Sequence, residues 1–153
     1  MAFYSRKSPR IPGYDYSACN YYFVTICTFE HKCLFGSITQ KSKCGEIAES
    51  HILQLENYYD GLDIIKFVVM PNHLHMIVSI GPGDHNPDLN QIIAQYKSGV
   101  SREIRRIFPD YKVWQRSYHD HVIRDQKGFE KIWTYIENNP LKWEEDCFYR
   151  NQE

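Results

Sequence analysis

Long hydrophobic runs are missing from this chain of 153 residues. No stretch approaches the ~18–20 consecutive apolar residues that a membrane span requires, and the opening segment MAFYSRKSPR lacks the apolar core of a secretory signal peptide. The 5 cysteines are odd in number and form no C-x-x-C pair, which argues against a disulfide scaffold and against a cysteine-based zinc site. We therefore expect one cytoplasmic domain without a membrane partner.

A strong excess of either charge is also missing, because the formal net charge is −1. The charges are nevertheless divided into blocks along the chain. Residues 1–43 carry 6 Lys and Arg against 2 Asp and Glu, and residues 97–131 carry 9 against 5. Basic blocks of this strength suit a polyanion such as nucleic acid, although scattered solvated charges give similar counts.

Hydrophobic periodicity predicts strands and helices in the order β-α-β-β-α-β, followed by one more helix. This order favours an α+β fold, a ferredoxin-like antiparallel sheet with its first two helices on one face. The last helix could then cover the other face, where we expect the functional site. The predicted strands are residues 20–30, 62–70, 73–80 and 111–123, with a short hairpin arm at 33–38, and the predicted helices are 44–61, 89–107 and 125–139.

The apolar residues of the first predicted helix recur at 3–4 residue spacing, and they are Ile47, Ala48, Ile52, Leu55 and Tyr59. The second and the last predicted helices each have an apolar face as well. Asp88 and Asp125 are suited to cap their first turns, and Pro140 disfavours a helical conformation at the residue before it. The predicted inner face of the second helix is Leu89, Ile92, Ile93, Tyr96, Val100 and Ile107, and that of the last helix is Phe129, Ile132, Trp133 and Ile136.

The stretch VVMPNHLHMIV places two histidines one residue apart in an otherwise apolar strand. Side chains alternate along a strand, so His73 and His75 share one face while Leu74 and Met76 point to the other, into the core beneath the helices. Two neutral imidazoles about 6–7 Å apart can hold one divalent cation if a third ligand comes from elsewhere. Two partly exposed strand histidines without a ligand would give the same pattern.

A second pair, His119 and His121, has the same spacing. If both faced a site, Asp120 between them would face the core, which is costly unless the carboxylate is paired. We therefore rank the first pair above the second. The second pair is interpreted as supporting groups, DNA contacts or a polar strand edge.

The last predicted helix places Tyr135 beside its apolar stripe, with Asn139 four residues further on. A continuing helix would bring the phenol and the amide to the same face. An amphipathic tyrosine beside a core stripe is also common in proteins without any catalytic role.

In this order, the segments PNHLH, QYKSGVSREIRR, VWQRSYHDHVIRD and FEKIWTYIENNPLKW resemble the single-tyrosine HUH transposases. The resemblance is nearest to the REP-associated tyrosine transposases and their insertion-sequence relatives, and it extends from about residue 8 to about residue 145. It implies one transposase domain over residues 1–153, with its core at about 15–140 between a short basic N-terminal arm and a C-terminal tail.

By this resemblance, His73 and His75 are metal ligands and Tyr135 is the nucleophile. Asn139 stands where the insertion-sequence enzymes have a ligating glutamine, and it is one methylene shorter. The expected cofactor is Mg²⁺ or Mn²⁺. The expected reaction is cleavage and rejoining of single-stranded DNA next to a hairpin, through a 5′-phosphotyrosine intermediate.

The resemblance and the basic blocks together predict which residues contact DNA, with cations on phosphates and aromatic rings on unpaired bases. Either a homodimer or a monomer is compatible with the family. Two other functions remain open: a non-catalytic module that binds single-stranded nucleic acid, and a histidine-metal phosphodiesterase that uses water. The predicted DNA contacts are Lys97, Arg102, Arg105, Arg106, Trp114, Arg116, Tyr118, His121 and Arg124.

Overall fold

The computed structural model describes residues 20–81 and 86–151. The predicted basic N-terminal arm lies outside these residues. Four strands form one sheet, and the strands are β1 Asn20–Cys27, β2 Leu62–Met70, β3 His73–Ile80 and β4 His119–Ile123.

Three α-helices accompany the sheet, and each begins behind a side chain that caps it. Ser42, Asp88 and Asp125 accept hydrogen bonds from backbone N–H groups in the first turns of their helices, which satisfies donors that have no partner within the helix. The helices are α1 Lys43–Gln54, α2 Leu89–Ile107 and α3 Gln126–Asn138, and short 3₁₀ turns cover Phe29–His31, Leu55–Asn57 and Pro140–Glu145.

The strand order in the sheet is β2-β3-β1-β4, and all three pairings are antiparallel. This topology confirms the predicted α+β, ferredoxin-like order with a further C-terminal helix. It makes β3 and β1 the central strands and β4 an edge strand. The tight turn at Pro71–Asn72 joins β2 to β3, so the first histidine pair begins a central strand.

The two faces of the sheet carry separate hydrophobic clusters. On one face, buried side chains such as Leu74 and Met76 pack with α1 and α2, as the alternation in β3 predicts. On the other face, Phe23 and Ile77 pack with Ile132 of α3. The last helix therefore covers the face on which the functional site was expected.

Several predicted element bounds are wrong. Residues 33–38 form turns rather than a hairpin arm, with only one bridge, between Gly36 and Lys41. The last strand begins at His119, not at residue 111, and before it Trp114 makes a single bridge to Thr28. β1 and α1 also end earlier than predicted, because each passes into a 3₁₀ turn.

Two predicted core residues are exposed. Ile107 is the last residue of α2 and is 47% exposed, whereas Ile104, one turn earlier, is buried. Trp133 is 39% exposed because it lies at the margin of the α3 stripe, with the ammonium group of Lys66 4.2 Å from its ring centroid. In the described residues no helix combines the length and the hydropathy needed to cross a membrane. The described cysteines, Cys27, Cys33, Cys44 and Cys147, are free thiols.

Candidate metal and tyrosine site

His73 and His75 lie side by side on the α3 face of the sheet, with ring centroids 4.7 Å apart. Both are 0% exposed. The last helix was expected to cover this face, and α3 together with the segment after it buries both rings. This location is unusual for two imidazoles, which are polar groups that need partners when buried.

Asn72 orients the ring of His73. The Asn72 amide donates to the backbone oxygens of His31 at 3.0 Å and of Phe148 at 2.6 Å, so its Oδ1 is left to accept from His73 Nδ1 at 2.8 Å. The Nδ1 of His73 therefore carries a hydrogen, and Nε2 is the ring nitrogen that faces Asp146 and could ligate a metal. This Nε2 has no hydrogen-bond partner and lies 3.6 Å from Asp146 Oδ2.

His75 is held in a comparable way by β1. Its Nδ1 lies 2.8 Å from the hydroxyl of Thr25, its partner in the antiparallel register. Burial, and then the neighbouring His73, lower the pKa of His75 well below its ordinary value. A histidine that stays neutral keeps a lone pair available to a metal.

The third donor of the cluster is Asp146, which sequence reasoning missed. Its carboxylate accepts hydrogen bonds from the Asn139 side chain and from the backbone N–H of Phe148, each at 2.8 Å. Burial alone would raise the pKa of Asp146, but His73 and these two donors outweigh it and hold that pKa below its usual range. Ligand atoms of His73, His75 and Asp146 all lie within 4.8 Å of one another, and among residues 20–81 and 86–151 they form the single group of this kind.

Asn139, the predicted third ligand, adjoins the cluster at the C-terminal end of α3 and is 3% exposed. Its Nδ2 positions Asp146, while its Oδ1 is buried without a hydrogen-bond partner. The structure thus links Asn139 to the cluster through Asp146, whose Oδ2 lies 3.6 Å from His73 Nε2. A ligand role for Asn139 stays a prediction.

Tyr135 lies on α3, half-buried, directly over the histidine pair. Its ring centroid is 5.4 Å from that of His75 and 6.1 Å from that of Phe23. Ile132 and Ile136 on the same helix are buried against the sheet, and this packing fixes the side of α3 that faces β3. The arrangement places a phenol beside a cluster of potential metal ligands.

The second histidine pair lies on the same face of the sheet. His119 pairs with Thr25 and His121 with Phe23, and paired residues project to the same side. As expected for two histidines that share this face, Asp120 between them is buried on the α1 and α2 side, at 3% exposed. The ranking of the first pair above the second stays a prediction. His119 is half-buried and His121 is exposed, because β4 is an edge strand.

Five of the predicted DNA contacts line one cavity of about 610 Å³ beside α2. Lys97 Nζ donates to the backbone oxygens of Gln115 and Ser117, which ties the loop before β4 to α2. These five residues are Lys97, Arg102, Arg105, Arg106 and Trp114.

The predicted stacking role of Tyr118 is wrong. Its side chain is 4% exposed, and its hydroxyl donates to Asn90 Oδ1 at 2.6 Å, so no face of the ring is open to a base. The ring of Trp114 packs against Phe35 and Tyr96, and its indole N–H donates to the Lys97 backbone oxygen. Both aromatics therefore have packing roles in this structure.

Arg116 and Arg124 are exposed and do not line the α2 cavity, although Arg116 lies between Gln115 and Ser117, whose backbone oxygens accept from Lys97. Arg124 instead lines a cavity of about 720 Å³ with Tyr21 and Phe129. The predicted DNA contacts thus divide into a group beside α2 and separate residues near β4.

Comparison with known proteins agrees with the sequence resemblance. The family model described as "Transposase IS200 like" matches residues 15–139. An uncharacterized protein of Haemophilus influenzae is 34% identical over 167 aligned residues, which cover 94% of this chain and 93% of that protein. A second Haemophilus influenzae protein, provisionally named a REP-associated tyrosine transposase, is 26% identical over 90 residues, 52% of this chain and 50% of its own.

A solved structure of a REP-associated tyrosine transposase bound to a REP hairpin has the same fold. The two structures superimpose with a TM-score of 0.63 at 20% sequence identity. The alignment covers 88% of this chain and 74% of the chain of the solved structure. The histidine pair, the tyrosine helix and the fold that joins them all lie within the matched segment. The chain belongs to the IS200-like transposase family.

Proposed function

We propose that this transposase-family chain cuts and rejoins single-stranded DNA beside a hairpin, with Tyr135 as the nucleophile. The observation that carries the proposal is the position of the Tyr135 ring, 5.4 Å from His75, above the only described cluster of three potential metal ligands. Tyr135 and the histidines belong to one chain, so the proposal assigns the tyrosine to the histidines of its own chain. The cytoplasm remains the expected compartment for such a substrate.

The residues of the cluster fit a divalent cation. His73 and His75 would supply imidazole nitrogens, Asp146 a carboxylate oxygen, and the partnerless Oδ1 of Asn139 a fourth donor. Mg²⁺ or Mn²⁺ bound there would polarise the scissile phosphate and favour in-line attack. Imidazole ligands favour Mn²⁺ over the harder Mg²⁺.

The covalent step is a displacement at phosphorus. The phenol oxygen of Tyr135 forms a bond to the scissile phosphorus while the bond from phosphorus to the 3′ oxygen breaks. The phenol releases one proton and the leaving 3′ oxygen takes one up, so no net proton is consumed. The products are a 5′-phosphotyrosine and a free 3′ hydroxyl, and the reverse step with another 3′ hydroxyl rejoins DNA without a nucleotide cofactor.

The surroundings of Tyr135 suit this role. Its half-buried ring is held at its edge by Phe23, which restricts the phenol to the space above His75. His75 itself is a weak base because of its lowered pKa, which favours ligation over proton transfer. Orientation of one nucleophile and one phosphate is then the chief contribution of the protein.

A hairpin substrate is supported by the DNA in the similar solved structure. On this chain, the basic cavity beside α2 offers three arginines for phosphate contacts, Arg102, Arg105 and Arg106.

A covalent-trapping experiment tests the proposal. Labelled single-stranded DNA from a broad panel of hairpins is incubated with the full chain and Mn²⁺, then denatured. Tyr135→Phe is compared with Tyr149→Phe, a control that alters a tyrosine packed on Trp143 nearby. We expect a denaturation-resistant adduct with the wild type and with Tyr149→Phe, and none with Tyr135→Phe.

Three results would contradict the proposal. An adduct that persists in Tyr135→Phe would assign the nucleophile to another residue. If Tyr135→Phe still cleaved the DNA and no adduct formed, the protein would be a phosphodiesterase that uses water. Binding without any cleavage across the panel would indicate a non-catalytic module.

A further inference from the structure

A second large cavity, of about 1080 Å³, lies between the turn after β1 and the loop that precedes β4. We call it the side groove. None of the sequence-predicted DNA contacts lines it. Its lining includes the acidic residues Glu30 and Asp110, and its cationic and aromatic residues are Phe29, His31, Lys32, Tyr111, Lys112 and Arg150.

The side groove adjoins the histidine cluster. His31, in the groove wall, stacks on Phe148 with ring centroids 5.3 Å apart and an interplanar angle of 16°. Phe148 in turn lies 4.8 Å from the ring of His73. A single layer of side chains therefore separates the groove from the proposed metal ligands.

The turn that forms this wall is strained and well anchored. Glu30 and His31 are consecutive non-glycine residues with φ of 54°, in the left-handed region that L-residues rarely adopt. The Thr28 hydroxyl lies 2.7 Å from the Lys32 backbone oxygen, and the His31 oxygen accepts from Asn72 at 3.0 Å. The same hydrogen bonds that orient His73 thus maintain the shape of the groove.

The groove combines positive charges with aromatic rings, and one of these charges, Lys32, also lies 3.5 Å from the Glu30 carboxylate. Lys32 and Lys112 place their ammonium groups 5.7 and 4.6 Å from the centroid of the Phe29 ring. Tyr111 stacks on Phe108 with centroids 4.5 Å apart, which rigidifies it, and it remains 39% exposed. Cations and a rigid, exposed aromatic ring in the same groove are the combination that binds unpaired nucleotides.

One hydrogen bond links a residue of the groove to a residue of the basic cavity beside α2. Arg105, which lines that cavity, donates from Nε to the Tyr111 backbone oxygen at 3.1 Å. A polyanion could therefore contact α2, pass Tyr111 and reach the wall formed by His31.

We propose that the side groove binds the unpaired DNA strand that flanks the scissile phosphate. A base stacks on Tyr111, while Lys32, Lys112 and Arg150 contact backbone phosphates. This inference rests on the proposed function, because it requires a single-stranded DNA substrate at the histidine cluster. It adds a binding site for the flank that is distinct from the cavity beside α2.

Equilibrium binding without added metal tests the inference. Fluorescence anisotropy measures the Kd of the full chain for a hairpin with a short unpaired flank and for the same hairpin without one. The variant Tyr111→Leu/Lys112→Gln is compared with Tyr58→Leu/Lys43→Gln, which removes one exposed tyrosine and one exposed lysine near α1. We expect the groove variant to bind the flanked hairpin about 10-fold more weakly and the unflanked hairpin normally, and the control to match the wild type.

A milder variant supplies a second measurement that does not depend on the ring. Lys112→Gln alone should reduce the slope of log Kd against log salt by about 0.7 on the flanked hairpin, since one phosphate contact is lost. Lys43→Gln should leave the slope unchanged. Equal losses on both hairpins, or no loss on either, would overturn the side groove as the flank site while leaving Tyr135 catalysis intact. Failure of the wild type to bind any hairpin or to form an adduct would instead overturn the proposed function, and this inference with it.

Discussion

The two His-x-His pairs of this chain have the same spacing and lie on the same face of the same sheet, yet their surroundings differ. His73 and His75 begin the central strand β3 and are fully buried. His119 and His121 begin the edge strand β4, where one is half-buried and the other exposed. Thr25 separates the pairs in the register, since it is the partner of both His75 and His119.

His73 and His75, the central pair, differ from His119 and His121, the edge pair, in their burial and in the hydrogen bonds that support them. Asn72 and Thr25 orient its rings through Nδ1, and Asp146 supplies a third donor. No comparable group of three donors includes the edge pair among the described residues. The comparison teaches that a short motif becomes a metal site through its neighbours in space rather than through its spacing alone.

The largest expected effect separates the two pairs directly. His75→Ala removes a proposed ligand, and we expect Mn²⁺-dependent adduct formation to fall by more than about 100-fold, because even residues that only support ligands contribute 10–100-fold. His121→Ala should reduce the rate by no more than a few-fold, through DNA binding. Adduct yield against time, at a DNA concentration below saturation, measures both. Equal losses in the two variants would remove the distinction.

Asp146→Asn tests the donor that the edge pair lacks. This substitution keeps the size of the side chain but removes a charged ligand, so we expect Mn²⁺ affinity to fall by about 10- to 100-fold. The matched control is Glu145→Gln, an exposed neighbour in the same acidic segment. Titration calorimetry with Mn²⁺ provides the two affinities. If the Mn²⁺ affinity of Asp146→Asn were unchanged, the third metal ligand would be Asn139 or water instead of Asp146.

Asn72→Ala tests the hydrogen bonds that orient the central pair. Loss of this buried amide leaves His73 Nδ1 and the His31 and Phe148 oxygens without their partner. We expect a decrease in Mn²⁺ affinity of about 10-fold and in the free energy of unfolding of about 1–3 kcal/mol. Urea denaturation and the same titration measure these quantities.

The control for the preceding substitution is Asn57→Ala, at an exposed asparagine. It should change neither the affinity nor the stability appreciably. If Asn72→Ala were destabilised but bound Mn²⁺ normally, orientation of His73 by Asn72 would be unimportant.

Local sequence patterns were sufficient to predict which face of the sheet the central histidine pair occupies. Alternation in β3 correctly separated His73 and His75 from Leu74 and Met76, because strand geometry alone determines which face a side chain occupies. The apolar stripe of the last helix likewise predicted that Tyr135 would accompany buried residues. These features depend on neighbours in sequence.

The parts that could not be predicted depend on contacts between distant segments. Asp146 reaches the histidines because the chain after α3 turns back and is fixed by Asn139 and by the hydrogen bond from Asn72 to the Phe148 oxygen. No spacing in the sequence indicates that return. Tyr118 was assigned to DNA for the same reason, since its exposure is determined by packing and not by its type.

The smallest expected effect is a difference in alkylation between two cysteines near the segment that buries His73. Burial, and then Cys147 and Asp146, raise the pKa of Cys27 to about 12, so this thiol stays protonated at pH 8. Cys147 is exposed, although burial and Asp146 raise its pKa as well. We expect iodoacetamide to modify Cys147 before Cys27, with mass spectrometry of peptides as the measurement. Equal rates would mean that the segment covering His73 opens readily.

Anomalous diffraction from a crystal soaked in Mn²⁺ tests the assignment of the metal site most directly. A peak in ligand contact with His73, His75 and Asp146, beneath the ring of Tyr135, is the predicted result. A peak bound by His119 and His121 instead, with none at the central pair, would contradict it.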